Sequence, residues 1–352
     1  MSIRSNIDRI FYLDFLRALA IVAVIILHVS EFYFLGAGKT DFNRFIGLIF
    51  EGFSRFAVPT FLTLSGALLF NRKYNLHDFF KRRMSRILIP FIFWFIVYIL
   101  FSYFDGGSSN FTSVTSFLTY VGKCFFALKG TPNSHMWFVW LIFSLYLAVP
   151  IINKWISNSS LCELEYFLFI WIVCSLLFTF NITPSDYNLS LNLFMGSFGY
   201  LILGYYLANK QSRILDNFYL WFLVFLIISV FRIFMAINPS FFMFIHNGMA
   251  NMIFLVQTAS IFLVVKNFNF KKIGDFLKSG IVSKLILSLS KYSYGIYLAH
   301  MIFLSLFLKL SVCKDNALLF IPLLTVGALV TTWIVLFLMN RFSIFRKVTG
   351  FQ

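Results

Sequence analysis

The sequence predicts an all-α fold, a polytopic membrane helical bundle of about ten transmembrane helices with both termini in the cytoplasm. Of its 352 residues 60% are hydrophobic and only 12% are charged, and the mean hydropathy is +0.85, far above the values of soluble domains. The apolar residues are gathered in stretches of about 18 to 25 residues, each long enough to cross ~30 Å of hydrocarbon. The uneven distribution of Lys and Arg between the loops then fixes the orientation.

Apolar runs between polar breaks define the candidate spans. In chain order they cover residues 11–34, 45–70, 87–104, 136–153, 164–182, 191–208, 218–237, 248–265, 291–310 and 317–340. Because this number is even, both termini lie on one side of the membrane. We expect residues 1–352 to form a single transmembrane domain with no appended extracytoplasmic domain, and we find no internal repeat.

Basic residues mark the cytoplasmic side. Of the 29 Lys and Arg residues, 20 fall in the termini and in the loops on their side, six fall on the opposite side, and three fall within spans. Since Lys and Arg in short loops are retained in the cytoplasm, both termini are predicted to be cytoplasmic. The net charge of +16 is thereby explained by topology and lipid head groups, so nucleic acid is not an expected partner. The four cysteines are scattered singly and predict neither disulfides nor a metal site.

The first span carries four ionisable residues on one face. Arg17 and His28 are eleven positions apart, so they differ by about 20° around a helix and by about 16 Å along it. Asp14 precedes Arg17 by three residues and Glu31 follows His28 by three, so all four share an arc of about 100°. Lipid offers such groups no partner, so the stripe is predicted to face the bundle interior or a water-filled cavity. The alternatives are a snorkelling arginine paired with Asp14 and an interfacial histidine bonded to Glu31.

Three further spans contain an arginine or a histidine. Arg55 lies about halfway through the second span, where snorkelling is hardest, and is predicted to pair with Glu51 one turn earlier. Arg232, near the outer end of the seventh span, is typical either of a snorkelling arginine or of an acceptor-binding one. His300 in the ninth span is either a packed structural histidine or a catalytic partner.

Two other groups lie at the predicted membrane surfaces. Arg82, Arg83 and Arg86 precede the third span on the cytoplasmic side, and Arg83 and Arg86, three apart, can share one helix face. They are either ordinary cytoplasmic basic residues or ligands for phosphates. His135 and Trp137 begin the fourth span on the outer side, where they form either an aromatic belt or a contact to a sugar ring.

Five sequence blocks resemble the acyltransferase-3 family of integral membrane enzymes. The first is the pair Arg17 and His28, separated by ten residues in the first span. The others, in order, are "SRFAVPTFLTLSGALLF" (54–70), "RRMSRILIPFIFW" (82–94), "HMWFVWLIFSLYLAVPII" (135–152) and "SYGIYLAHMIF" (293–303). The resemblance therefore extends over nearly the whole chain.

The resemblance implies transfer of an acyl group, usually acetyl from cytoplasmic acetyl-CoA, to a sugar hydroxyl of a glycan on the far side of the membrane. Members of the family include O-antigen, enterobacterial common antigen and exopolysaccharide acetyltransferases, so the bacterial inner membrane is the expected location. Acyl-CoA would be a donor substrate, and no permanently bound cofactor or metal is expected. The implied partners are the bilayer, a glycan or lipid-linked oligosaccharide acceptor and proteins of polysaccharide assembly.

The residues can be given roles in acyl transfer. His28 is the candidate general base, with Glu31 fixing its tautomer, and a covalent acyl-histidine is the second role considered. Arg17 suits the phosphates or thioester region of the donor, and Arg82, Arg83 and Arg86 suit the phosphates of CoA. The expected supporting or acceptor-side residues are Asp14, Glu51, Arg55, His135, Trp137 and His300. Two other functions stay open, a glycan or lipid-intermediate exporter and a non-catalytic scaffold of polysaccharide assembly.

Overall fold

The computed structural model describes residues 3–36, 40–104, 113–127, 131–179, 196–237, 250–269, 280–310 and 316–351. Within these ranges the chain forms twelve α-helices and one short 3-10 helix, Ser134–Met136, and contains no β-strand. The helices are α1 (Ile3–Phe34), α2 (Asp41–Ser54), α3 (Ala57–Leu69), α4 (Leu76–Phe104), α5 (Val114–Phe125), α6 (Trp137–Asn158), α7 (Leu161–Thr179), α8 (Phe198–Asn209), α9 (Phe218–Ile237), α10 (Ala250–Asn267), α11 (Ile281–Leu310) and α12 (Ala317–Met339). The predicted all-α class is confirmed.

Among the described residues, seven helical segments are long and apolar enough to cross a membrane. They are Phe11–Phe34, Asp41–Leu69, Leu76–Phe104, Ser134–Asn158, Phe218–Ile237, Ile281–Leu310 and Ala317–Met339. The predicted spans 164–182, 191–208 and 248–265 run partly into 180–195 and 238–249, which lie outside the described residues; their described parts form α7, α8 and α10. The number of ten spans and the sidedness of the termini stay predictions.

The ninth predicted span begins earlier than expected. Its helix, α11, begins at Ile281 rather than at residue 291. The segment "IVSKLILSLS" (281–290) has one charged residue and spaces its apolar residues at helical intervals, so it continues the helix despite its serines. Ser290, taken as the end of a loop in the sequence, is therefore a helical residue.

The second span is two helices with a break at Arg55 and Phe56. Pro59, the third residue of α3, accounts for the break because a proline ring clashes with the carbonyl of the residue four positions earlier, here Arg55. Regular bonding resumes where the Thr60 amide donates to the Phe56 carbonyl at 3.0 Å. The break leaves Arg55 at the end of α2.

The chain divides into two compact units. The first comprises residues 1–72, 152–290 and 313–323, and the second comprises 73–151, 291–312 and 324–352. In the first unit α1 packs on α2 and α3, α2 packs on α9, and α9 packs on α10. The single transmembrane domain expected from the sequence stays a prediction.

Glycines allow α3 and α8, both in the first unit, to approach closely. A Cβ atom added at Gly66 of α3 would overlap the Leu201 backbone, and one added at Gly204 of α8 would overlap the Thr63 backbone. Each helix therefore contributes a glycine at the place where the other's backbone lies against it. Small residues at such crossings are a common device of membrane helix packing.

Candidate active site

Asp14, Arg17 and Ser290 form a polar cluster between α1 and α11. The Arg17 Nη1 atom lies 3.6 Å from Asp14 Oδ1. Ser290 donates from its hydroxyl to Asp14 Oδ1 at 2.6 Å and accepts from Arg17 Nη1 at 3.4 Å. Because Ser290 is fully buried, the predicted Asp14–Arg17 pair is attached to a neighbouring helix within the first unit.

His28 and Glu31 form the second pair on α1. The His28 Nδ1 atom lies 3.3 Å from Glu31 Oε2, and both side chains are partly exposed. A carboxylate at this position favours hydrogen on Nδ1, which leaves the imidazole lone pair on Nε2. A histidine held in this tautomer is suited to accept a proton at Nε2.

Glu31 continues into a chain of alternating charges in the first unit. The Arg55 Nη2 atom lies 3.5 Å from Glu31 Oε1. Glu51 Oε1 accepts hydrogen bonds from both Arg55 Nε and Arg232 Nη2. Residues from α1, the end of α2 and α9 thus form a chain of ion pairs that begins at Glu31, the partner of His28. Each charge within the membrane requires an opposite charge nearby.

The sequence interpretation of Arg232 as a snorkelling residue is wrong. Its side chain is only 6% exposed, it pairs with Glu51, and its guanidinium lies 5.3 Å from the centre of the Phe254 ring. Burial of a charged side chain is costly unless it is paired, and Glu51 provides the pair. The sequence did mark Arg232 as unusual, since an arginine inside a span is rare. It could not identify the partner, because Glu51 is 181 residues away along the chain.

Gln257 of α10 links α2 and α9 close in sequence to Glu51 and Arg232. Its Nε2 donates to the Gly52 carbonyl at 2.7 Å and to the Ser229 hydroxyl at 2.8 Å. Among the described residues, Gln257 Oε1, Glu51 Oε2 and Arg232 Nε are buried and have no hydrogen-bond partner. Buried polar groups are normally satisfied, so this region offers both donors and acceptors to a polar group. Sequence reasoning missed Gln257 and Ser229 because single neutral polar residues in a span carry little signal.

The second unit brings His135 and His300 together. Their ring centres are 5.2 Å apart, both are buried, and the His300 Nδ1 atom lies 2.8 Å from the Tyr297 carbonyl. His135 also contacts the rings of Tyr98 and Tyr297. His135 is therefore a packed residue, and Trp137, which is 50% exposed, is the better placed of the two for a surface contact.

A basic cavity is also present in the second unit. Arg82 and Arg86 of α4 line it together with Arg346 and Lys347. Arg83, which the sequence placed on one face with Arg86, is not among the lining residues; a spacing of four brings Arg82 and Arg86 closer around the helix. Within the described part of the chain no group of three or more His, Cys, Asp or Glu side chains is arranged to hold a metal ion.

These features define an integral multi-pass membrane protein with paired ionisable side chains inside its helices. The family model described as "Acyltransferase domain" matches residues 10–339. The chain belongs to this family, acyltransferase-3, so the resemblance predicted from the five sequence blocks is confirmed and the protein is a membrane acyltransferase. Comparisons with curated proteins and with solved structures give no match.

Proposed function

We propose that this acyltransferase transfers an acyl group, acetyl in the simplest case, from cytoplasmic acyl-CoA to a sugar hydroxyl of a cell-surface or lipid-linked glycan in the bacterial inner membrane. The observation that carries the proposal is the His28–Glu31 pair in α1, 3.3 Å apart. A carboxylate-oriented imidazole is the group that acyl transfer to a hydroxyl requires. The family membership supplies the reaction class.

In the proposed reaction His28 Nε2 takes the proton of the sugar hydroxyl while the hydroxyl oxygen bonds to the thioester carbonyl carbon. The carbon–sulfur bond then breaks, and the acyl group remains on the sugar as an ester. The protonated imidazole returns its proton to the departing thiolate, which leaves as the CoA thiol. The alternative is that Nε2 itself attacks the thioester and carries the acyl group to the sugar in a second step.

Arg17 is proposed to act at the donor. Its guanidinium is held by Asp14 and Ser290 and so has a fixed orientation, which a group that stabilises developing oxyanion charge or grips a phosphate needs. On the acceptor side, the half-exposed Trp137 presents an indole face of the kind that packs against sugar rings.

We expect His28→Ala to insert and accumulate normally but to lower glycan acylation by about 10²-fold to 10⁴-fold, the usual contribution of a general base. The measurement is mass spectrometry of the surface glycan from cells lacking the gene and complemented with each variant, scored by the mass increment of one acyl group. His77→Ala is the matched control, because His77 lies on an exposed part of α4 outside the site and its replacement should leave acylation unchanged.

Unchanged acylation in His28→Ala would remove the catalytic role. Loss of acylation accompanied by an acyl-histidine adduct in trapped wild-type protein would favour the covalent route over the base. If vesicles containing the protein moved glycan without any acyl-CoA, the protein would act as an exporter and the proposal would fail.

A further inference from the structure

The segment that follows α12 forms one wall of the basic cavity. The cavity has a volume of about 390 Å³, within the range of about 300 to 1,000 Å³ for small-molecule sites. One wall comes from residues 82–90 of α4 and the other from residues 346–351. The lining residues are Arg82, Ser85, Arg86, Ile89, Pro90, Arg346, Lys347, Gly350 and Phe351.

Four cationic side chains converge on this cavity. Arg82, Arg86, Arg346 and Lys347 line it, and among the described residues no Asp or Glu does; Asp78, one turn before Arg82, is outside the lining. The preference for basic residues in cytoplasmic loops explains why the chain has so many of them there. It does not explain why four of them line one cavity, because the preference concerns the charge of a loop and not where its side chains lie in the fold. Like charges four apart on a helix repel, so the arrangement is favourable when an anion lies between them.

Residues 346–351 are held in place by both neighbouring helices. Trp94 Nε1 of α4 donates to the Val348 carbonyl at 3.2 Å. Gly295 of α11 lies directly against the Thr349 carbonyl, where an added Cβ would overlap it. Gly350 has a φ of +65°, in the left-handed region that favours glycine. The cations of this segment are therefore presented by a fixed backbone, which reduces the entropy lost on binding.

An aromatic side chain lines the cavity together with the cations. Phe351 lines it, is 44% exposed, and packs edge-on against Tyr292 with ring centres 5.0 Å apart. The Lys291 ammonium lies 5.8 Å from the centre of the same ring. A planar ring beside several cations matches a ligand that combines an aromatic base with phosphates.

We propose that residues 346–351 complete the donor site: Arg346 and Lys347 join Arg82 and Arg86 in binding the phosphates of the nucleotide end of acyl-CoA, and Phe351 contacts its base. This inference rests on the proposed acyl-CoA donor and extends it to a segment that the sequence had assigned to topology alone. The phosphates of anionic lipid head groups share the same chemistry, and the test separates the two sources.

The test measures binding of CoA and of 3′-dephospho-CoA to the full-length protein in nanodiscs of phosphatidylcholine by equilibrium dialysis. We expect Arg346→Gln and Lys347→Gln each to weaken CoA binding about tenfold or more, the usual loss for a hydrogen bond to a charged group. In at least one of these two variants the affinities for CoA and for 3′-dephospho-CoA should be equal, because that variant has lost the contact to the 3′-phosphate. Phe351→Ala should weaken both ligands, and Phe351→Tyr should restore binding.

Arg341→Gln is the matched control for the loss of charge. Arg341 belongs to the same basic segment, but its guanidinium lies over the Phe337 ring at 5.0 Å and outside the cavity. If Arg346→Gln and Lys347→Gln bind CoA as tightly as Arg341→Gln does, the inference is overturned. If CoA binding is weakened in Arg82→Gln alone, the inference is also overturned, but acyl-CoA is still supported as the donor. If wild-type protein binds no CoA, the donor named in the proposed function fails as well.

The lipid alternative has its own arm. The same variants are reconstituted in nanodiscs that contain phosphatidylglycerol, and the lipid retained by the purified protein is quantified. Loss of phosphatidylglycerol enrichment in Arg346→Gln with unchanged CoA binding would assign the cavity to lipid head groups and overturn the inference. Unchanged lipid enrichment with weakened CoA binding supports it.

Discussion

Glu51 is the residue on which the buried charges of the first unit depend. One of its oxygen atoms accepts from both Arg55 and Arg232, and the side chain is buried. Removing one partner from a buried ion pair leaves an uncompensated charge, which is more damaging than removing the pair. Here the loss of a single carboxylate leaves two guanidinium groups near each other.

We expect Glu51→Gln to lower the free energy of unfolding by about 3 kcal/mol, the usual cost of breaking a buried pair. Acylation should also fall, because Arg55 would no longer be held beside Glu31. Thermal unfolding of the detergent-solubilised protein and the glycan assay measure the two effects. Glu163→Gln is the control, because Glu163 lies in the exposed first turn of α7, where its carboxylate accepts hydrogen bonds from the amide and hydroxyl of Ser160.

Replacing Arg232 by Met in the Glu51→Gln background gives the complementary result. Arg55 keeps Glu31 as a partner, whereas Arg232 loses Glu51. Since the second change removes the Arg232 charge, part of the lost stability should return. Additive losses in the double variant would contradict the ion-pair account.

The sequence predicted the contacts between residues that are close along one helix. Asp14 with Arg17, and His28 with Glu31, follow from a spacing of three, because helix geometry alone puts such residues side by side. Arg55 with Glu31 joins two helices and required the packing of α2 on α1. Periodicity along one helix gives no information about which neighbour lies beside it.

At the scale of elements, the contact of α3 with α8 depends on two glycines. Gly66 and Gly204 each face the other helix's backbone, and a side chain at either position would overlap atoms that cannot rotate away. The Pro59 break and this contact both fix α3, and α3 in turn packs against α1, which carries His28. Packing of α1 thus depends on a proline and on two glycines, residue types with special backbone properties.

We expect Gly204→Ala to destabilise the protein by about 1–3 kcal/mol, the usual cost of overpacking a close contact. Gly66→Ala should act in the same direction. Gly122→Ala is the matched control: Gly122 is also helical, but an added Cβ there meets nothing within 4 Å, and alanine is favoured over glycine in a helix. Thermal unfolding in detergent gives the comparison, and equal stability of Gly204→Ala and Gly122→Ala would contradict the close approach.

At the scale of the whole molecule, native cysteines can report the predicted orientation. Cys162 in the first turn of α7 is exposed, whereas Cys124 and Cys174 are buried. Burial also raises the pKa of the Cys124 thiol in α5, which reduces the thiolate that reacts with maleimides at neutral pH. Cys313 lies outside the described residues, so the labelling experiment uses a protein with the Cys313→Ser substitution.

In the Cys313→Ser protein we expect a membrane-impermeant maleimide to label Cys162 only after the membrane is opened, because the loop before α7 is predicted to be cytoplasmic. Labelling is measured by the mass shift of the purified protein, and Cys162→Ser should abolish it. Labelling of Cys162 in intact cells would reverse the predicted orientation of the chain.

The sequence predicted the all-α membrane class because hydropathy depends only on local composition. It did not predict that Arg346 and Lys347 line a basic cavity. These two residues follow the last span, where basic residues are expected whatever they contact, so composition could not show that they line a cavity. Their position beside Arg82 and Arg86 joins parts of the chain more than 250 residues apart.

The shared carboxylate of Glu51 has a consequence for proton movement. Glu31, Glu51, Arg55 and Arg232 carry formal charges that cancel, so the network is neutral while His28 is neutral. In the proposed reaction, a proton accepted by His28 would add one positive charge to a network whose four charges leave no surplus anion to balance it. The departing thiolate would supply that anion, and the electrostatics of the network would then favour prompt return of the proton to the sulfur. Formation of the sugar ester and return of the proton to sulfur would then follow each other closely within a turnover, and no long-lived imidazolium would accumulate.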